Sequence, residues 1–245
     1  MTDRVPAGAL TLVIRPSVAG VVCSGCVLVA DLTWLALARP PGLQLLMTWF
    51  AALALAGVFV PGLANQVTLA RAHLAGPALV YSLLPGRLVE LAAVVGLAGL
   101  SDMVDGTVAR RLERPSRLGG GLDPVVDGVF FGAAAVGLAA GGAYPLWLAL
   151  VVVARYGLPA MVGATLILAR RNPDLHHTPL GQASTTLIGL LLGGLALARA
   201  VGWEVGGLLT VSEVLIPVAA VLTFANLFVA NRPAILGGGD GRPRR

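Results

Sequence analysis

The chain has 245 residues, of which 57% are hydrophobic and only 12% charged, and its mean hydropathy is +0.86. No soluble domain of this length needs so much apolar surface, so the composition excludes a soluble enzyme and predicts an all-α integral membrane protein with several spans. The 17 basic residues are all Arg and outnumber 12 acids; basic loops on one membrane side explain the sequence pI near 10.2, and no nucleic-acid partner is expected.

Residues 1–16 carry Arg4 and Arg15 around an apolar patch too short to span, with no evident signal-cleavage pattern. Two apolar stretches follow, at 18–38 and 43–60. The first contains Asp31, and a charge inside a span is expected to face other helices. It also contains Cys23 and Cys26, which read as small hydrophobes rather than a redox or zinc pair, because no second Cys pair completes a site. Six further helices are expected. The first runs from 65 to about 84 and opens with Asn65, Thr68 and Arg71. Taken alone, Asn65 reads as a helix cap and Arg71 as a side chain snorkelling to the interface. The second covers 87–110, and a loop rich in Arg and Gly follows at 111–122. The third starts at Asp123-Pro124, an order that also suits an N-cap with Pro at the first helical position. The fourth, at 145–169, holds Arg155 among apolar neighbours, so this Arg should reach a carboxylate, a phosphate or a cavity. A loop at 170–181 contains Arg170 and Arg171, the fifth helix opens at Gly181-Gln182, and the sixth covers 208–230. Gly128-x3-Gly132 and Gly189-x3-Gly193 offer close-packing faces. This divides the chain into an N-terminal segment (1–64) with two spans, a six-helix core (65–231) and a disordered basic tail (232–245).

Four carboxylates fall within residues 102–127, a third of all the acids. Asp102 and Asp105 are spaced i, i+3, and Asp123 and Asp127 are spaced i, i+4. On helices each spacing puts both members on one face. Four converging acids repel one another unless a cation neutralises them, and a hard divalent ion with oxygen ligands, Mg²⁺ or Mn²⁺, suits such a donor set. Gly106 and Ala109 are small enough for a ligand to approach closely.

Written out, the stretch is D-x2-D-G-x2-A-R-x8-G-x3-D-x3-D, ending at Asp127. It resembles the signature of the CDP-alcohol phosphatidyltransferases, membrane enzymes of phospholipid synthesis, and a weaker likeness extends over 65–230. The resemblance implies transfer of a phosphatidyl group from CDP-diacylglycerol to an alcohol, releasing CMP. It implies two ions on Asp102, Asp105, Asp123 and Asp127, with Asp127 also the general base. Gly106, Ala109, Arg110 and Gly119 would line the nucleotide pocket. Asn65 and Thr68 belong to an N-x2-T-x2-R pattern that opens the family core. Arg155, Arg170, Arg171 and Gln182 would meet the acceptor; relatives often carry Lys where this chain has Gln182. A homodimer in the cell membrane is the further expectation.

With eight spans, the termini and the 111–122 and 170–181 loops share one side and hold most of the Arg residues, which places the motif on the cytoplasmic face. Glycerol 3-phosphate is the first acceptor expected, with inositol phosphate and phosphatidylglycerol as alternatives. A transporter using intramembrane carboxylates is the reading from another class, but it leaves the fixed Gly, Ala and Arg positions unexplained.

Overall fold

The computed structural model describes residues 15–84, 86–112, 117–169 and 179–235, with backbone alone at 105–112, 117–120, 167 and 233–235. Among these residues the chain forms eight α-helices and no strand: α1 (Val18–Ala38), α2 (Leu43–Val58), α3 (Leu63–Leu83), α4 (Leu88–Leu112), α5 (Arg117–Ala140), α6 (Leu146–Leu168), α7 (Pro179–Ala200) and α8 (Gly206–Ile235). Large apolar side chains such as Val29, Leu55, Leu100, Met161 and Phe228 are exposed around the outside. A bilayer, not water, is the solvent that such a surface fits.

Five helices are long and apolar enough to cross a membrane: α1, α6, α7, and the stretches Gly121–Ala140 of α5 and Gly206–Arg232 of α8. Helix α2 is apolar but shorter. Helices α3 and α4 are less apolar because they carry the polar groups of the bundle interior. Helix α3 buries Asn65, Gln66, Thr68, Arg71 and His73, and its packing against α1, α2, α4 and α5 keeps them from lipid.

Lipid tails are as apolar as Leu, so helices in a membrane associate through close packing and interhelical polar contacts rather than through burial from water. Both devices are present. The core between α3 and α8 is centred on Phe130, Leu138, Leu148, Ile188, Leu195 and Ile216, all fully buried. Gly128 brings α5 against α6 so tightly that a Cβ there would stand 2.7 Å from the Cβ of Tyr156. Gly193 does the same for α7 against Val95 of α4, at 2.9 Å. Both glycine faces expected from the sequence therefore pack helices.

The α1–α2 hairpin joins the core through polar contacts. Ser17 caps α1 by accepting from the Gly20 N–H (2.8 Å), and its own N–H donates to Val58 O at the end of α2 (3.0 Å). Asp31 of α1 pairs with His73 of α3, Oδ2 to Nδ1, at 2.5 Å, so the expectation that Asp31 faces another helix is met. The His73 ring stacks on Phe50 of α2, with centroids 5.9 Å apart. Trp34 Nε1 donates to Tyr81 Oη at 2.7 Å.

Two boundaries differ from the sequence reading. Helix α5 begins at Arg117 rather than Asp123, so the stretch read as a loop is helical up to 112 and again from 117. Asp123 is therefore not an N-cap, and Pro124 lies inside the helix. Pro124 has no N–H to donate to the Gly120 carbonyl, so α5 runs through it with one backbone bond fewer. Helix α8 continues to Ile235, and 236–245 lie outside the described residues. Asn65 is not a cap either. It lies inside α3, whose N-cap is Gly62.

Candidate active site

Helices α3, α4 and α5 meet around one guanidinium. Arg71 is only 3% exposed, which rules out snorkelling to the interface. A charge at a span's centre costs about 2.5–3.5 kcal/mol on insertion scales, so it persists where partners offset that cost. Arg71 Nη1 donates to Asp102 Oδ1 at 2.6 Å and to Asp127 Oδ1 at 2.9 Å. Nη2 lies 3.7 Å from Asp123 Oδ1, beyond hydrogen-bond range. The expected convergence of the α4 and α5 acids is thus observed for three of the four. Asp105 lies one turn beyond Asp102 on α4, with its side chain outside the described residues, as are those of Ala109 and Arg110; of Gly106 and Gly119 only the helical backbone is described.

The carboxylates are graded in exposure. The Asp127 side chain is 5% exposed, Asp123 38% and Asp102 58%. The site therefore has a closed floor at Asp127 and an open rim at Asp102. One Arg against three acids leaves a formal excess of negative charge, and Asp123 Oδ1 is buried with no hydrogen-bond partner among the described residues. Orphaned carboxylate oxygen at a converging acid site is the donor chemistry that suits a hard divalent cation. Among the described residues, no three His, Cys, Asp or Glu side chains form a metal-holding group by themselves. Arg71 bridges the oxygens that such a group would share.

A second polar cluster adjoins this floor. Arg155 of α6 is buried (5%). Its Nε donates to Ser184 Oγ at 2.8 Å, and its Nη2 donates to Gly181 O at 3.0 Å and Thr185 Oγ1 at 3.3 Å, all at the start of α7. Its Cζ sits 4.3 Å above the Tyr156 ring, the ring against which Gly128 presses, one residue after Asp127. Among the described residues, Arg155 therefore reaches hydroxyls and a carbonyl rather than a carboxylate. Gln182 is exposed and not among the partners found for Arg155. Arg170 and Arg171 lie outside the described residues. On α3, Asn65 Nδ2 donates to Pro61 O (2.7 Å) and Thr68 Oγ1 to Ala64 O (3.1 Å), both side chains being buried.

Sequence reasoning left Arg71 out of the site, along with Tyr156, Ser184 and Thr185. Arg71 had a signal, its place three residues after Thr68 in the N-x2-T-x2-R pattern. Ser184 and Thr185 lie i+3 and i+4 from Gly181, on the face turned to α6.

Residues 62–225 match the family model described as CDP-alcohol phosphatidyltransferase. A cardiolipin synthase (CMP-forming) of Streptomyces coelicolor is 39% identical over 112 residues, 45% of this chain and 51% of that protein. A CDP-diacylglycerol–glycerol-3-phosphate 3-phosphatidyltransferase of Bacillus subtilis is 31% identical over 137 residues, 50% of this chain and 70% of that protein. An archaetidylinositol phosphate synthase of Methanothermobacter thermautotrophicus is 42% identical over 57 residues, 23% and 29% of the two chains. The chain spans about half the length of the bacterial cardiolipin synthases it matches. The family match begins one residue before α3 and takes in every helix that contributes to the carboxylate site, so the chain belongs to the CDP-alcohol phosphatidyltransferase family.

Proposed function

We propose that this protein transfers a phosphatidyl group from CDP-diacylglycerol to the hydroxyl of an alcohol and releases CMP. The convergence of Asp102, Asp123 and Asp127 at one end of the bundle carries the reading. With Asp105, these residues would hold Mg²⁺ or Mn²⁺, two ions by family resemblance, which would neutralise the diphosphate and the departing CMP oxygen. Asp127, at the closed floor, takes the proton of the acceptor hydroxyl. The acceptor oxygen forms its bond to the phosphatidyl phosphorus as the bond from that phosphorus to the CMP oxygen breaks. Asn65, Thr68, Gly106, Ala109, Arg110 and Gly119 line the nucleotide side.

The acceptor is proposed to be glycerol 3-phosphate, with phosphatidylglycerol and inositol phosphate next. Its phosphate would meet Arg155 and the Arg170-Arg171 pair, which supply the charge that Gln182 lacks. The name of the Bacillus relative, which specifies glycerol 3-phosphate, supports this acceptor. The Arg-rich side would face the cytoplasm of a cell-membrane homodimer, where a nucleotide-linked substrate is available. The transporter reading has no observation in its favour.

The test is CMP release by the purified chain in detergent with CDP-diacylglycerol, Mg²⁺ or Mn²⁺, and one alcohol at a time. Metal-dependent release that requires one alcohol identifies the acceptor. No release from folded protein with any of the three removes the proposed acceptors, and absence of CDP-diacylglycerol binding as well removes the reaction.

A further inference from the structure

We propose that Arg71 is an internal counter-ion that competes with the divalent ions for the Asp102 and Asp127 oxygens, and so sets the affinity with which this protein takes up its metal. The inference rests on the metal-dependent reading above. One guanidinium nitrogen is within hydrogen-bond reach of the Oδ1 atoms of both residues. Those atoms lie on different helices, one at the open rim and one at the closed floor. A divalent ion bound by both carboxylates draws on the same oxygens and is repelled by the guanidinium charge. The two cations therefore oppose each other, while each satisfies acids that would otherwise repel.

Arg71 is also suited to yield. Its backbone is fixed, because His73, two residues on, is held by Asp31 and Phe50. The guanidinium sits at the end of a long flexible stem and can turn aside without moving α3. Towards Asp123 it already stands at 3.7 Å, with that oxygen otherwise unpartnered. A cation entering from the rim thus meets Asp102 first, where it contends with Arg71, and finds Asp123 Oδ1 deeper in the site without a hydrogen bond to break. Arg71 is a positioning residue in this scheme. It keeps the acids together until the ions replace it.

A purely structural bridge and a competing counter-ion give opposite results when the charge is removed. The measurement is Mn²⁺ binding, followed by electron paramagnetic resonance, and thermal unfolding of the full chain in detergent, with and without a chelator. If Arg71 competes, Arg71→Gln binds Mn²⁺ about tenfold more tightly than wild type, while Arg71→Lys stays close to wild type. In chelator the Gln variant unfolds at a lower temperature, and Mn²⁺ raises its midpoint by more than it raises that of wild type. Equal or weaker Mn²⁺ binding by folded Arg71→Gln overturns the proposal and leaves the reaction intact. Wild-type protein that binds no divalent ion overturns this inference and the metal-dependent reading together. Should the Gln variant not fold, the wild type still decides. Its Arg71 guanidinium protons, identified by their absence from Arg71→Lys spectra, must exchange faster with solvent as Mg²⁺ saturates the site. Unchanged exchange overturns the proposal.

Discussion

Helix α3 makes two buried acid–base contacts only two residues apart, and they differ in stoichiometry. On the side of α1, His73 meets one carboxylate, Asp31, and rests on Phe50. On the side of α4 and α5, Arg71 meets three, and Asp123 Oδ1 is left without a hydrogen bond. The first contact is closed: one base, one acid, an aromatic cover. The second has more acid than base and is open at its rim. Burial alone does not separate them, since Arg71 and His73 are equally inaccessible at 3%. The count of charges does. A matched pair holds helices together, whereas an excess of carboxylates over bases among the described residues is a donor set that suits an added cation.

Substitution can break this contrast, most strongly on the open side. Asp127→Asn should reduce CMP release by about 10²–10⁴-fold, the usual worth of a general base, while CDP-diacylglycerol binding and the unfolding midpoint stay near wild type. Wild-type turnover would remove Asp127 from the chemistry. On the closed side the effect should be on stability. Asp31→Leu leaves the buried His73 Nδ1 without its partner and is expected to cost about 1–3 kcal/mol, read as a lower unfolding temperature, with turnover per folded molecule retained. A double change of Asp31 and His73 to apolar residues of similar volume should recover most of that loss.

Smaller effects sharpen the comparison. Arg155 has protein partners at Nε and Nη2, as His73 has at Nδ1, yet it lies beside the floor of the carboxylate site. Arg155→Gln should raise KM for a phosphate-bearing acceptor by about 10- to 100-fold, the worth of losing hydrogen bonds to a charged group. KM for CDP-diacylglycerol should change little. If the two KM values rise together, Arg155 holds α6 and α7 in place and does not select the acceptor. Cys26 is exposed on α1 and forms no disulfide. Cys26→Ala should shift stability by less than about 0.5 kcal/mol and leave turnover unchanged.

The carboxylates could be read from the sequence because helical periodicity converts spacing into a shared face, and both pairs do lie on helices. The glycine pairs were legible for the same reason. What spacing does not reveal is which side chain a face meets. Asp31 and His73 are 42 positions apart, and nothing local to either names the other. Arg71 carried a motif position but also a plausible route to the interface, and only the packing of α4 and α5 over it decides between them. The start of α5 was misplaced because Asp-Pro looks alike whether it opens a helix or lies within one behind three glycines. Asp105, Gly106, Ala109, Arg110 and Gly119 rest on motif spacing for their roles; the first four lie on a helix as expected, whereas Gly119, read as loop, is helical.

The meeting of α1 and α2 with α3 bears on how separable the family fold is within this chain. The family match starts at residue 62, so the hairpin is by that measure an appendage to a self-sufficient core. Its contacts say otherwise. His73 and Tyr81 both spend their polar atoms on the hairpin, on Asp31 and Trp34. A core excised at residue 62 would turn an imidazole and a phenol hydroxyl towards acyl chains that offer no hydrogen bond. In this chain the hairpin and the family core form one packed unit, because α3 serves as a wall for both.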